Sequence, residues 1–281
     1  PKANASRRSC SLPSLAPERY RPAVPLPFTL HTTDPGSRAR RGTLETSHGL
    51  VQTPAFMAVG TRATVTGLTP ADLKQVGVQV VLGNTYHLML RPGPERFREV
   101  GGIHRYMNWN GPVLTDSGGY QIFSLSADRT MSEQGARFKA YTDQRMHMLS
   151  PERSIEMQTA IGSDIMMVLD VCLDSTSDEA QVRAAMERTH RWALRSLRAR
   201  TNPAQALFSI AQGGLSRELR RESIDFLTSH EFDGFAIGGL AVGDERSQRE
   251  EITAFSADLL PKDRPRYLMG VGTPPDLLEA I

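Results

Sequence analysis

The chain has 281 residues, of which 39% are apolar and 23% charged, and its formal net charge is +2. This composition is typical of a globular protein with a buried core, and no run of about 18 apolar residues predicts a membrane span. The two cysteines, Cys10 and Cys172, lie far apart, which indicates a reducing compartment without a disulfide framework. So small a net charge neither requires nor excludes a nucleic-acid partner.

The two ends of the sequence differ from the rest. Residues 1–24 are rich in Pro, Ser, Ala and Arg and show no hydrophobic period, so we predict a disordered lead-in before a folded domain that spans residues 25–281. The closing stretch "TPPDLLEAI" starts like a helix, with early prolines and an acidic first turn, and stops after barely two turns. We therefore expect the chain to be a piece of a longer protein.

Between the ends, short apolar runs alternate with helix-like segments. The runs are "TPAFMAVG", "VQVVLGN", "GPVLTD", "DIMMVLD", "ALFSIAQGG", "DGFAIGG" and "RYLMGVG". Helix starts are visible at Thr69-Pro70, at Ser150-Pro151 and at Asp178. Strands that alternate with helices predict a parallel sheet, and runs without polar alternation predict that both faces of that sheet are covered.

Seven such runs fit two α/β folds, an open doubly wound sheet or a (β/α)₈ TIM-type barrel that lacks its last unit. We favour the incomplete barrel, because no G-x-G-x-x-G phosphate loop follows the first run and because reactive or ligand-reading residues follow nearly every run, where barrel enzymes keep their sites. These residues are Asn84, Asp116, Asp170, Gln212, Gly239 and Met269. Residues 127–149 interrupt the rhythm and predict a β-hairpin inserted after the third strand.

The stretch "LTDSGGYQIFS", residues 114–124, carries the strongest local signal. Asp116 ends an apolar run and is followed by a serine, two glycines and Tyr120. The ordinary interpretation is a strand-to-helix turn, because Asp is a favoured residue at a helix N-cap. Taken alone, the motif leaves both a structural turn and a functional site open.

Five stretches together resemble the tRNA-guanine transglycosylase family in its bacterial form. They are "GNTYHLMLRPG", "NGPVLTDSGGYQIFSL", "LFSIAQGG", "GFAIGGLAVGD" and "YLMGVGTPPDLLEAI". The resemblance extends from about Phe28 to the last residue. It implies a (β/α)₈ barrel that exchanges guanine, at the wobble position of a tRNA with a GUN anticodon, for 7-aminomethyl-7-deazaguanine on the route to queuosine. It also implies a cytoplasmic homodimer.

By resemblance, Asp116 is the general acid/base and Asp170 binds the base. Base exchange with retention needs two displacements and a positioned acid/base group. Guanine offers N1–H and its N2 amine as two donors on one edge, which a carboxylate can accept together. The glycines after Asp116 let the backbone approach the flat base, on which Tyr120 can stack. The implied substrate-binding residues are Asn84, Asp116, Ser117, Gly118, Gly119, Tyr120, Asp170, Cys172, Gln212, Gly238, Gly239, Leu240, Val242 and Met269.

Two positions bear on which base is accepted. Cys172 and Val242 match the bacterial pattern, since a branched side chain at 242 leaves less room than glycine for the larger queuine substituent. Cys172 also has an ordinary interpretation as a buried, inert thiol. Val171 departs from the acidic residue that the family pattern has between Asp170 and Cys172.

The tRNA contact is implied for the stretch "GVGTPPD", whose backbone amides could meet a phosphate at the helix start. Its residues are Gly270, Val271, Gly272, Thr273, Pro274, Pro275 and Asp276. The segment "RAAMERTHRWALRSLRAR" carries six arginines; we interpret it as a solvated helix face with Trp192 buried, and phosphate contact is the alternative. The seven histidines, His87 among them, show no metal-site spacing, so no metal is predicted in this chain.

Two parts of the family pattern do not occur in this sequence. They are a nucleophilic Asp in an Asp-Cys-Val-x-Pro-Thr-Arg motif and a structural zinc site of three cysteines and a histidine. We therefore expect this stretch to be inactive by itself and zinc to belong to the full-length protein. Three alternatives stay open: a non-catalytic tRNA- or purine-binding subunit of the same family, an archaeal-type enzyme that modifies the D-loop, and an unrelated barrel glycosidase or aldolase.

Overall fold

The computed structural model describes residues 26–126 and 128–281. The lead-in predicted for residues 1–24 lies outside the described residues, and so does Ala127, with which the predicted insertion begins. Among the described residues, no helix is both long enough and apolar enough to cross a bilayer.

The described part begins with a three-stranded antiparallel sheet that the sequence did not predict. Its strands are β1 (Phe28–Thr33), β2 (Arg40–Thr46) and β3 (Gly49–Thr53). Leu44 and Val51 of this sheet are buried, and they belong to the same apolar cluster as Val80, Ile165 and Ala206. Those three residues start strands of the main sheet. The small sheet therefore covers the amino ends of the main strands.

The elements that follow alternate strand and helix through most of the chain. Up to the insertion they are β4 (Met57–Val59), α1 (Pro70–Gln75), β5 (Val80–Gly83), α2 (Thr85–Leu90), α3 (Pro94–Val100), α4 (Ile103–Met107), β6 (Val113–Thr115) and α5 (Gly119–Leu125). The insertion contains β7 (Arg129–Met131), β8 (Ala136–Lys139) and β9 (Met146–Leu149). After it come α6 (Pro151–Ile161), β10 (Ile165–Met167), α7 (Glu179–Ala199), β11 (Ala206–Ala211), α8 (Arg217–Thr228), β12 (Gly234–Ile237), α9 (Arg246–Leu259), β13 (Arg266–Leu268) and α10 (Pro274–Ala280).

Within the described residues, the main sheet has seven strands in the order β13-β12-β11-β10-β6-β5-β4. Every neighbouring pair is parallel. This is the succession of seven strand–helix units of an incomplete (β/α)₈ barrel, and it confirms the fold predicted from the sequence. All residues of β5, β6, β10, β11 and β12 are buried, because helices on one side and the facing strands on the other cover both faces.

The predicted helix starts lie where the sequence indicates. Thr69, Ser150 and Asp178 are the N-cap residues of α1, α6 and α7, and the side chain of each accepts a backbone N–H of the first turn. Each such cap stabilises its helix by about 1 kcal/mol. These fixed helix starts set where each helix packs on the sheet, and therefore which residues reach the strand ends.

Residues 129–149 form a three-stranded antiparallel sheet, in which β8 pairs with both β7 and β9. Phe138 and Leu149 of this sheet are fully buried in one cluster with Tyr86, Ile122 and Trp192. The inserted sheet thus packs over α2, α5 and α7, beside the carboxyl ends of β5 and β6.

Candidate active site

The polar residues predicted from the sequence collect at the carboxyl ends of six neighbouring strands. Asn84, Asp116, Gln212, Gly238 and Met269 directly follow β5, β6, β11, β12 and β13. Asp170 comes three residues after β10. Because neighbouring strands lie about 4.8 Å apart, residues at these ends come within reach of one another. The edge is thus a candidate active site.

Asp116 is held by a ring of donors. Its Oδ2 accepts a short hydrogen bond from Asn84 Nδ2 and a second, of 2.9 Å, from Gln121 Nε2. Its Oδ1 accepts the backbone N–H of Thr85 at 2.8 Å, at the first residue of α2. Asp116 as a whole residue is only 8% exposed, so few water molecules reach its carboxyl group.

Burial raises the pKa of Asp116 to about 6, although the hydrogen bonds from Asn84, Thr85 and Gln121 act to lower it. The nearby charge of Asp170 adds to the rise. A carboxyl group with a pKa near 6 exists in both protonation states near neutral pH, which is the property that a general acid/base needs. The structure therefore places a group suited to proton transfer at the end of β6.

Asp170 lies on the neighbouring unit and is linked to two of the other predicted residues. Ser117 Oγ donates to its Oδ1 at 3.0 Å, and Gln212 Nε2 donates to its Oδ2 at 2.7 Å. Burial raises the pKa of this carboxyl group, and the same two hydrogen bonds oppose the rise. A buried carboxylate whose two oxygens both accept donors is arranged to receive a pair of N–H groups side by side.

Two glycines make these contacts possible. A β-carbon on Gly119 would lie 2.6 Å from Asp170 Oδ1 and 2.7 Å from the Asp170 carbonyl oxygen, so only glycine fits there. Gly239 has a φ of +65°, and a β-carbon on it would overlap with Gln212 Oε1. The backbone at these two positions therefore approaches the polar side chains more closely than any other residue type would allow.

The apolar members of the predicted set surround this polar centre. Tyr120 is 49% exposed at the start of α5, so a ring face stays available to a ligand. Met269 is half-buried, and its sulfur would lie 3.5 Å from a β-carbon on Gly238. Leu240, in the loop after β12, is buried. Gly118, in the left-handed region at φ +90°, turns the chain from β6 into α5.

Beside the polar centre lies a cavity of about 190 Å³. Val171, Gln212, Gly239 and Val242 line it, together with carboxylates that include Asp244. Val171 presents an apolar side chain there in place of the acidic residue of the family pattern, so the wall near Asp170 is apolar.

Cys172 is not among the residues that line this cavity. Burial raises the pKa of its thiol to about 12, and the charge of Asp170 adds to the rise. A thiol with this pKa stays protonated and is a poor nucleophile. The geometry therefore favours the ordinary interpretation of Cys172.

Four residues at or beside the site were missed by sequence reasoning. Two of them, Thr85 and Gln121, hold Asp116 by hydrogen bonds. The third is Tyr267, whose hydroxyl has its pKa raised by burial and by the charge of Asp116. The fourth, Arg220, is fully buried at the start of α8. Its Nη1 donates to the Ala211 carbonyl at 2.9 Å and its Nε to the Gly214 carbonyl at 2.8 Å. Arg220 thereby holds both sides of the loop that carries Gln212.

The stretch predicted to contact tRNA surrounds the first turn of α10. Thr273 and Asp276 form a capping box, in which Asp276 Oδ2 accepts the Thr273 N–H at 3.0 Å. Arg249 lies 3.6 Å from the same carboxyl group. The Asp276 carboxylate thus already accepts one of the backbone N–H groups that a phosphate could bind. The tRNA contact stays a prediction.

The arginines of α7 pair with carboxylates of neighbouring elements. Arg191 forms a salt bridge of 2.9 Å with Glu133, and Arg195 one of 2.7 Å with Glu152. Trp192 is fully buried between them, as predicted. These contacts join α7 to the insertion and to α6, and they favour the structural interpretation of this helix over phosphate binding.

Comparison with known proteins agrees with the geometry. A family model described as queuine tRNA-ribosyltransferase matches residues 34–281. A queuine tRNA-ribosyltransferase of Dehalococcoides mccartyi is 51% identical over 254 residues, which are 90% of this chain and 65% of the relative. One from Thermus thermophilus is 51% identical over 255 residues, covering 91% and 66% of the two chains. One from Caldanaerobacter subterraneus subsp. tengcongensis is 49% identical over 249 residues, covering 88% and 66%. The chain spans about two thirds of the length of these relatives.

Proposed function

Since the chain belongs to the queuine tRNA-ribosyltransferase family, we propose that its strand-end site binds a guanine-type base and serves a tRNA-guanine transglycosylase. The membership removes the alternative of an unrelated barrel glycosidase or aldolase. The observation that carries the proposal is the pair of buried carboxylates, Asp116 and Asp170, on adjacent units of the barrel, with Gln212 linked to the second.

Asp170 and Gln212 supply the base recognition in this proposal. An ionised Asp170 accepts N1–H and the N2 amine of guanine, and the Gln212 amide, which now donates to Asp170, turns its N–H toward O6. The backbone at Gly239 adds a second polar group at O6, and Tyr120 and Met269 close over the ring faces. The hydrogen bond that now joins the two side chains supports the proposal, because it places both polar groups at one site before Gln212 turns.

Asp116 supplies the proton transfer. An oxygen of the nucleophilic Asp of the family pattern, which does not occur in this sequence, attacks the ribose C1′ as the C1′–N9 bond breaks. The departing guanine takes a proton from Asp116. The incoming 7-deazaguanine then gives its N9 proton to Asp116 as its N9 bonds to C1′ and the carboxylate leaves. Asn84, Thr85 and Gln121 hold Asp116 through both steps.

The cavity next to Gln212 fits a base that carries a small cationic arm. Val171 and Val242 narrow it, and Asp174 supplies negative charge on its wall, whereas Asp244 is already paired with Arg249 at 3.4 Å. An aminomethyl group at position 7 of a deazaguanine carries a positive charge at neutral pH and gains from such a wall. These features support 7-aminomethyl-7-deazaguanine as the incoming base, with tRNA as the acceptor.

Several parts of the family pattern stay proposals for the whole protein. These are the GUN anticodon, the contact by Gly270–Asp276, the homodimer and the attacking Asp. The residues of this chain do not fit the zinc set of three cysteines and a histidine, because its sequence contains only Cys10 and Cys172. No step above passes through zinc.

Calorimetric titration of the purified chain with guanine and with 7-aminomethyl-7-deazaguanine tests the proposal. We expect saturable binding of both bases, and no binding of adenine, which lacks the N1–H and N2 donors. Equal affinity for adenine and guanine would overturn it. A parallel assay of labelled guanine incorporation into tRNA separates the remaining alternatives. Incorporation at the anticodon supports the exchange enzyme, at the D-loop the archaeal type, and base binding without incorporation a binding subunit or the predicted inactive stretch.

A further inference from the structure

Three polar side chains from distant parts of the sequence meet at the end of the molecule opposite the strand-end site. His48 lies between β2 and β3, His104 is the second residue of α4, and Asp164 immediately precedes β10. The side chains of His48 and His104 also stack, with ring centroids 3.5 Å apart and an interplanar angle of 12°. No sequence pattern indicates this cluster, because its members are up to 116 residues apart.

The possible ligand atoms of the cluster lie close together. His48 Nδ1 lies 2.8 Å from Asp164 Oδ1, and His104 Nε2 lies 3.1 Å from Asp164 Oδ2. One ligand atom from each of the three residues lies within 4.8 Å of the other two. A tetrahedral ion with ligand bonds of about 2.0–2.1 Å needs neighbouring ligand atoms about 3.3 Å apart. The ligand atoms would therefore have to move by up to about 1.5 Å, and the stacked imidazole rings would have to rotate, for the three side chains to surround one ion.

The carboxylate is held ready in its charged form. The Asp164 side chain is 1% exposed, and its Oδ2 also accepts the backbone N–H of Val113 at 2.9 Å. Burial acts to raise the pKa of Asp164, but the hydrogen bonds from His104 and His48 outweigh it and hold the pKa at about 2. The Val113 contact orients the carboxylate from behind, as outer hydrogen bonds do for metal-binding side chains.

Access to the cluster is one-sided. The side chain of His104 is 11% exposed and that of His48 is 33% exposed. An ion could therefore enter past His48 and keep a water molecule as its fourth ligand. Two imidazoles and one carboxylate are a set that borderline metals such as zinc and cobalt accept, whereas calcium and magnesium prefer oxygen ligands alone.

We propose that His48, His104 and Asp164 form a binding site for a divalent transition metal of the zinc class. The ion takes the place of the hydrogens that now lie between the rings and the carboxylate. A neutral imidazole moves its proton to the other ring nitrogen, and an imidazolium releases one proton to solvent. The site is distinct from the zinc site of the family pattern, which uses cysteines.

The ion would act on stability and leave base binding unchanged. It would join the β2–β3 turn, α4 and the start of β10, three segments that otherwise meet through side-chain packing and hydrogen bonds. Asp164 immediately precedes β10 and Asp170 comes three residues after it, so the two are about 20 Å apart if the segment is extended. A bound ion therefore fastens the small antiparallel sheet to the amino end of the barrel.

Titration of the full chain with cobalt(II), followed by displacement with zinc, tests the site. We expect one equivalent to produce the visible absorption of tetrahedral cobalt with nitrogen and oxygen ligands, without a thiolate charge-transfer band. Zinc should abolish that absorption and raise the midpoint of thermal unfolding. His104→Gln and Asp164→Asn should lose both effects. His147→Gln, which removes a histidine paired with the exposed Asp143 at 3.4 Å, should keep both.

His48→Gln covers the case in which the buried variants fail to fold, because His48 is partly exposed; it should weaken cobalt binding at least tenfold. The proposal is wrong if cobalt gives no saturable signal, if His48→Gln binds as tightly as the unmodified chain, or if the spectrum shows thiolate ligands. Any of these results would mean that the three side chains form only a hydrogen-bonded structural contact. None of them depends on whether the chain binds guanine.

Discussion

Replacing Asp170 with asparagine tests base recognition while disturbing the fold little. The Asn Oδ1 can accept from Ser117 Oγ, as Asp170 Oδ1 now does at 3.0 Å. The Gln212 amide, which now donates at 2.7 Å, can flip to accept from the new Nδ2. The variant should therefore fold, whereas guanine would face one acceptor and one donor where it needs two acceptors.

The expected loss follows from those two contacts. One hydrogen bond to a charged group, about 1.5–3 kcal/mol, disappears, and an unmatched donor pair costs about 1–3 kcal/mol more. The sum, about 2.5–6 kcal/mol, corresponds to a loss of affinity of roughly sixtyfold to twenty-thousandfold.

Calorimetry with guanine measures the loss directly. Asp178→Asn is the matched control, because it removes the same charge at the α7 N-cap, where asparagine caps equally well. A loss below threefold for Asp170→Asn, or an equal loss for the control, would refute the role of Asp170.

Three further predictions concern the neighbours of Asp170. The folded-state pKa of Asp116, about 6 against an ordinary 3.8, favours its protonated form in the folded chain. Its contribution to stability is therefore complete below about pH 4 and lost as the pH rises through 6. A pKa shift of about two units, at about 1.4 kcal/mol per unit, corresponds to roughly 3 kcal/mol. In urea unfolding, the free energy of unfolding of Asp116→Asn should therefore rise by roughly 3 kcal/mol relative to that of the unmodified chain between pH 4 and 8. A difference between the two proteins that stays constant with pH contradicts this prediction. Gly119→Ala should cost about 1–3 kcal/mol of stability and at least tenfold in guanine affinity, because its β-carbon meets Asp170 at 2.6 Å, and Gly36→Ala in an exposed turn should cost neither. Arg220→Met should leave the Gly214 carbonyl without its donor and the Ala211 carbonyl with the Gly238 N–H alone, costing about 1–3 kcal/mol of stability and lowering guanine affinity, unlike Arg217→Met on the exposed face of α8.

The sequence predicted the main sheet well because its strands are buried on both faces. Runs such as Ala206–Ala211 contain no polar alternation, and the structure buries every residue in them. Helix starts were equally readable, since Thr69, Ser150 and Asp178 each cap through a side chain. The first antiparallel sheet was not, because the alternation in β1 covers only four residues, none of them fully buried, and its last two residues are exposed threonines.

Apart from the family resemblance, the candidate site was predictable where a polar residue ends an apolar run. Asp116 and Gln212 are of this kind, and the parallel topology brings such residues together. Gln121 and Arg220 lie on helices, and nothing in a helical pattern tells a side chain that turns back to the strand end from one that faces solvent. The cluster of His48, His104 and Asp164 depends on how the first sheet packs, so sequence spacing carried no trace of it.

The central claim is that a guanine-type base sits between two acids on adjacent units of the barrel. A crystal structure of the chain with guanine tests it most directly. We predict the N1–H and N2 donors within hydrogen-bond distance of the Asp170 carboxylate, the Gln212 amide turned from Asp170 to O6, and the purine ring against Tyr120. A base bound elsewhere, with Asp170 still bonded to Ser117 and Gln212, would contradict the claim.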